Sequence, residues 1–230
     1  MRPVADEALE RVAASRVRLA VLGSTAALLL VVGLGLLVAF RSVTPDALDA
    51  EWMEEIVEHR SPLWEVPSRV FDFVGGGWFG VVVVPLGIAI AFLVARRPWA
   101  ASAFLAGSIA SSALVQLLKA VFGRARPADI LLPLDSPAFP SGHVANAATM
   151  VVLLALLLRR VWIAVAGAVY VVLMALSRTY LGAHWLTDTV GGALLGGAMA
   201  VLTWVVFARV LRREHARRAP DAGSPRPSDG

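Results

Sequence analysis

Three short clusters carry the side chains in this chain that could do chemistry. They are Lys119-x6-Arg126-Pro127, Pro140-Ser141-Gly142-His143 and Ser177-Arg178-x5-His184-x3-Asp188. Together they supply three cations, two histidines and a carboxylate. An arginine presents a planar fork that matches two phosphate oxygens, and a lysine adds a point charge. Pro127 favours an extended backbone at Arg126. Pro-Ser-Gly ahead of an apolar run reads as a helix start, where free N–H groups and a partial positive charge suit an anion. Ser141 can donate a hydroxyl there and also cap the helix, Gly142 allows close backbone approach, and His143 is aimed at the same point. His184 and Asp188 are four residues apart, one face of a helix. A carboxylate bonded to one ring nitrogen fixes the tautomer and frees the other nitrogen to attack. His143 has no carboxylate nearby in sequence. Cations predict a phosphate ligand, and the histidines predict that the phosphate is transferred.

The elements that position these clusters are membrane-like. The 230 residues are 58% hydrophobic and only 17% charged, with a mean hydropathy of +0.72. A hydrocarbon core of ~30 Å takes about 20 helical residues to cross. Six apolar stretches meet or approach that length: Leu19–Phe40, Trp78–Ala95, Trp99–Phe122, Val144–Leu158, Val161–Leu176 and Leu186–Ala208. The fold class expected is all-α, a polytopic membrane protein with a six-transmembrane-helix bundle. The first stretch exceeds a signal-peptide core of about 7–15 residues and reads as a retained helix. Without cysteine there is no disulfide or thiolate metal site.

A net charge of +4 would suit nucleic acid, but the basic residues lie between and beyond the spans, so no nucleic-acid partner is expected. A cytoplasmic N-terminus puts 14 of the 21 Lys and Arg on the inner side, including Arg96–Arg97, Arg159–Arg160 and the Arg209–Arg226 tail. Both termini are then inside, and all three clusters lie at the outer ends of the helices. Residues 1–218 read as one domain. Residues 41–77 read as an outer interfacial segment, with a helix start at Thr44-Pro45 and an apolar stripe of Leu48, Trp52 and Ile56. Gly75-Gly76-Gly77 reads as a flexible joint. Residues 219–230 read as a disordered cytoplasmic tail. Gly191-Gly192 and Gly196-Gly197 read as close-packing positions in the last span.

Taken together, the clusters resemble the three-part signature of the type 2 phosphatidic acid phosphatase superfamily, membrane lipid phosphatases related to vanadium haloperoxidases. Every signature position is present between Lys119 and Asp188. The resemblance implies that Lys119, Arg126 and Arg178 bind phosphate with Ser141 and the Gly142 backbone. It implies that His184 is the nucleophile, oriented by Asp188, and that His143 protonates the leaving oxygen. Arg124 lies outside the signature, so its loss is expected to be mild. No carboxylate cluster that would suit Mg²⁺ lies near the motifs, so no metal and no cofactor are expected. The expected partners are a lipid phosphate substrate and the bilayer. A lipid-linked phosphotransferase, a membrane anion transporter and a haloperoxidase are the competing readings.

Overall fold

The computed structural model describes residues 2–40 and 46–217. Thr44-Pro45 and the 219–230 tail lie outside the described residues. The described helices are α1 (Arg2–Phe40), α2 (Ala47–Glu58), α3 (Pro62–Gly75), α4 (Phe79–Val94), α5 (Pro98–Phe122), α6 (Gly142–Leu158), α7 (Val161–Tyr180) and α8 (Leu186–Ala216).

Among the described residues, four helices are long and apolar enough to cross a membrane: Ala14–Phe40 within α1, α5, α7 and α8. The stretch expected at Trp78–Ala95 is not a free-standing span. It forms α4, whose first turn, Phe79–Val83, is π-helical, and it is bent by 48° from α3 across a short break. Helix α6 has 17 residues and is apolar but short. Leu29, Leu30, Ile90, Ile109, Val165 and Val169 are exposed on the long helices, an apolar outer surface that water would not support. The chain is an integral membrane protein.

Helix α8 is the central post, with α6, α1 and α5 packed against it. The small residues of α8 make this close approach possible. A side chain at Gly192 would run into the Ser141 carbonyl and the Ala145 amide, and one at Gly196 into the Ala145 carbonyl. Gly197 faces open space and serves no such contact. Inside the bundle, Phe92, Phe104, Leu153 and Leu157 fill one apolar cluster, while Val31, Val115, Phe122, Phe139 and Leu195 fill a second beneath the motif loops. At the far end, Glu214 of α8 accepts the Trp99 amide at 2.7 Å, supplying an acceptor for one of the orphan N–H donors at a helix start.

Local chemistry sets the helix ends near the clusters. Helix α5 begins with Pro98 in its first turn and stops at Gly123, whose φ of 58° is left-handed. Helix α3 is strongly two-sided. Leu63, Trp64, Val66, Val70 and Phe73 are exposed, while Ser68 is buried against α7, where its carbonyl accepts the Ser177 hydroxyl at 2.9 Å. The α2–α3 corner is clamped to the end of α7. Tyr180 Oη accepts the Ser61 amide at 2.8 Å, and Arg60 reaches the carbonyls of Tyr180 and Asp129. In α2 the buried face is Asp49 and Met53; Leu48 stays exposed, and Trp52 and Ile56 are half-buried.

The two α8 glycines make opposite predictions. Gly192→Val should lower the melting temperature in detergent, costing about 1–3 kcal/mol of overpacking strain. Gly197→Ala should be neutral or raise it, because a helical alanine loses less backbone entropy than glycine. Equal melting temperatures for the two variants would contradict the close α6–α8 seam.

Candidate active site

The three clusters converge on one cavity of about 420 Å³. Lys119, Arg126, Gly142, His143, Arg178 and His184 all line it, at the end of the bundle where α5, α6, α7 and α8 meet the loops. Gly75–Trp78 close one side, and Val81, Val82 and Val115 form an apolar wall.

Lys119 does not extend to the bundle's rim. It is 6% exposed and its Nζ donates to the Pro137 carbonyl, with Ala138 O at 3.5 Å. Arg126 sits among carbonyls. Nε donates to Ser136 O at 2.8 Å, Nη2 to Ser136 Oγ at 2.9 Å, and Nη1 to Ala183 O. The same Nη1 is 3.4 Å from His184 Nε2. Arg126 therefore ties the α5–α6 loop to the α7–α8 loop and places its charge beside the histidine.

Arg178 is completely buried. One arm, Nη1, pairs with Asp72 of α3, while Nε and Nη2 have no hydrogen-bond partner in the protein. Ser141 is also fully buried, and its Oγ is likewise unpartnered. The capping role expected of Ser141 is not what the structure shows. It occupies the N-cap position of α6 without a side-chain cap bond, and its amide donates to the Asp188 carbonyl at 2.9 Å. Unpaired polar groups in such a place are costly, most of all on a charged fork.

His184 lies in the tight loop before α8, not on the helix. That loop turns at Gly182, with φ of 64°, and the amides of Ala183 and His184 both donate to Arg178 O. Asp188 sits in the first turn of α8 and accepts the Trp185 amide at 2.8 Å. His184 Nδ1 stands 3.6 Å from Asp188 Oδ2. The pair is thus brought together by a helix cap and a turn, at a spacing that tightens into a hydrogen bond only with a small ring movement. Burial, followed by the charges of Arg178, Lys119 and Arg126, holds the His184 imidazole well below its ordinary pKa. The ring is neutral near pH 7, the state a nitrogen nucleophile needs.

Three residues beyond the signature complete the site. Arg124 is not peripheral, contrary to expectation. It is 8% exposed and bridges two fully buried carboxylates, Asp188 Oδ1 at 2.5 Å and Asp49 Oδ2 at 2.6 Å. Asp49, from α2, also accepts the Thr187 amide at 2.9 Å and lies 2.6 Å from the Thr187 hydroxyl. It is a second anion at the start of α8, where the helix dipole favours it. Asp72 pairs with Arg178 and places Oδ1 3.2 Å from His143 Nε2. Nothing local in the sequence marks Asp49 or Asp72; the available signal was a carboxylate on the otherwise apolar or buried face of a short amphipathic helix. The glycine joint also has a spatial role, because a side chain on Gly76 would overlap the His143 ring.

The PAP2 superfamily model matches residues 100–212, which contain all three clusters. The chain is 34% identical over 140 residues to a decaprenylphosphoryl-5-phosphoribose phosphatase of Mycobacterium tuberculosis, covering 59% of this chain and 76% of that protein. It is 31% identical over 123 residues to a lipid A 1-phosphatase of Rhizobium etli, covering 48% of this chain and 52% of the other. The chain spans about half the length of the first curated relatives it matches. Among solved structures, a transmembrane PAP2 type phosphatidylglycerolphosphate phosphatase from Bacillus subtilis superposes with a TM-score of 0.71 at 24% identity, over 81% of this chain and 96% of that one.

Removing Arg124 leaves two buried carboxylates facing each other. Arg124→Ala should cost about 3–5 kcal/mol of stability, the range for breaking a buried ion pair. Arg124→Lys keeps one charge but cannot span both aspartates, so it should fold and lose activity. Denaturant titration and turnover of the two variants test this; wild-type behaviour in Arg124→Ala would remove Arg124 from the site.

Proposed function

The chain belongs to the PAP2 superfamily, and from that membership we propose that it is a membrane phosphatase that hydrolyses a lipid phosphate ester through a phosphohistidine on His184. One observation carries the reading. A fully buried arginine, Arg178, lines the cavity with Nε and Nη2 unpaired, next to Lys119, Arg126 and two histidines. A tetrahedral phosphate is the anion that such a set accommodates, with Ser141 Oγ and the start of α6 as further donors.

The geometry supports the following chemistry. The cations hold the equatorial phosphate oxygens and spread the developing charge. His184 Nε2, the nitrogen facing Arg126 and away from Asp188, forms the N–P bond. The bond from phosphorus to the lipid oxygen breaks, and His143 protonates that oxygen as it leaves. Asp188 stabilises the charge that appears on His184. Water then attacks the phosphohistidine, its proton passes to His143, and orthophosphate is released. Three cations fill the role a divalent metal plays elsewhere, so the reaction runs without one. The apolar wall of Val81, Val82 and Val115 beside Trp78 suits the first carbons of a lipid chain. Phosphatidic acid, phosphatidylglycerol phosphate and polyprenyl diphosphate are the candidate substrate types.

The same reading makes residues 1–218 a single unit of six spans: α1, α4 continuing from α3, α5, α6, α7 and α8. Both termini are cytoplasmic, and the cavity opens at the outer face. This rests on the Lys and Arg distribution.

Purified protein in EDTA should release orthophosphate from at least one lipid phosphate in a panel, and His184→Ala should abolish release. Activity that disappears in EDTA and returns with Mg²⁺ would refute metal independence. Label moving to another lipid without free phosphate would point to a transferase. For orientation, a cysteine replacing Ser136 should react with an impermeant maleimide in intact cells, and one replacing Arg160 should not. The opposite pattern would place the cavity in the cytoplasm.

A further inference from the structure

The two histidines of the cavity each have an aspartate, but only one of these pairs belongs to the signature. His184 has Asp188, four residues away. His143 has Asp72, 71 residues earlier and on a different helix. His143 Nε2 lies 3.2 Å from Asp72 Oδ1 and 3.1 Å from the Asp72 carbonyl oxygen. A backbone carbonyl only accepts, and a carboxylate paired with Arg178 is ionised and also only accepts. The proton on this ring is therefore on Nε2, donated to Asp72. The Cε1–Nε2–Cδ2 edge rests against Gly76, where any side chain would collide with it. Nδ1 is then the nitrogen turned away from α3. The same carboxylate oxygen takes Nη1 of Arg178, which leaves Nε and Nη2 of that fork unpaired.

We propose that Asp72 is a positioning residue for the reaction: it fixes the tautomer and supports the charge of His143, and it aims the fork of Arg178. This rests on the phosphatase reading above. The groups facing His143 are Asp72 from α3, Arg178 from α7 and His184 from the α7–α8 loop, with Lys119 and Arg126 lining the same cavity. Arg178 repels a positive charge on the imidazole, and Asp72 is the one carboxylate among the described groups in contact with the ring that favours it. With Nε2–H committed to Asp72, the proton delivered to the departing lipid oxygen comes from Nδ1 of the imidazolium. The lipid oxygen gains that proton, and the ring is left neutral with Nε2–H still on Asp72. The arrangement has an opposing effect on binding. A negative charge against Arg178 competes with the phosphate dianion for that fork, so Asp72 assists departure of the leaving group while weakening phosphate affinity.

That opposition gives the test a signature that a purely structural residue would not produce. Asp72→Asn keeps the shape and removes the charge. With an alkyl lipid phosphate, whose leaving group needs a proton, kcat should fall about a hundredfold, the range of general acid catalysis. With an activated aryl phosphate it should fall much less. Inhibition by orthophosphate should tighten about tenfold, because one unit charge near Arg178 is gone. Loss of activity on both substrates together with weaker orthophosphate inhibition would make Asp72 merely structural and overturn the proposal, as would unchanged kinetics. If Asp72→Asn does not fold by thermal melt, Asp72→Glu carries the test. It retains the charge on a longer arm, so orthophosphate inhibition should stay near wild type while the alkyl-to-aryl rate ratio drops. An unchanged ratio would overturn the proposal. Wild-type protein that releases no phosphate from any lipid would instead refute the phosphatase reading, a result separate from either outcome for Asp72.

Discussion

An apolar bundle cannot hold an unpaired charge cheaply, and this constraint organises the whole upper end of the molecule. Arg124 is the clearest case. Two carboxylates with no exposure, Asp49 and Asp188, meet on one guanidinium and on the first amides of α8. Breaking any member strands the others. Through this one node the short helix α2, the α5–α6 loop and the start of α8 are fixed to each other. Asp188 is thereby set beside His184. The second node, Asp72 with Arg178 and His143, does the same for α3, α7 and the start of α6.

The two nodes explain why the segment between α1 and α4 is more than a connector. Helices α2 and α3 each carry one carboxylate inward and apolar or acidic groups outward. Ser61, Ser68 and Arg60 pin them to the end of α7. Asn146 holds the break after α3, with Nδ2 donating to Gly75 O at 3.2 Å and Gly80 O at 2.9 Å. The triple glycine serves that geometry: Gly77 has a φ of 56°, and Gly76 leaves room for His143. Its role is close approach more than looseness. Among the described buried cations, Arg178 keeps unpaired donors, and it lines the cavity, so the same rule of charge compensation that stabilises the end of the bundle also marks where an anion fits.

Much of this was legible in the chain. The apolar stretches, the three clusters and their gathering on one cavity follow from hydropathy and motif spacing, because helix length and motif register are local properties. The glycines at 191, 192 and 196 were readable as packing positions for the same reason. What misled was also local. Hydropathy marks Trp78–Ala95 as apolar, yet it cannot show the bend from α3. Ser141 looks like a cap, yet its hydroxyl is buried without a partner. His184 and Asp188 look like a helical pair, yet a turn and a helix start bring them together.

The sequence by itself determined that the chain is a helical membrane protein, and it grouped Lys119, Arg126, His143, Arg178, His184 and Asp188, which the fold then brings together. Residue types and short spacings carry that information. Only the tertiary structure decided that Asp72 stands beside His143 and that Arg124 is spent on two buried carboxylates. Asp49, Asp72 and Arg124 act on partners 64 to 138 positions away in the chain. No local pattern selects such partners. They are chosen by where the helices, once packed, leave a buried charge that must be neutralised.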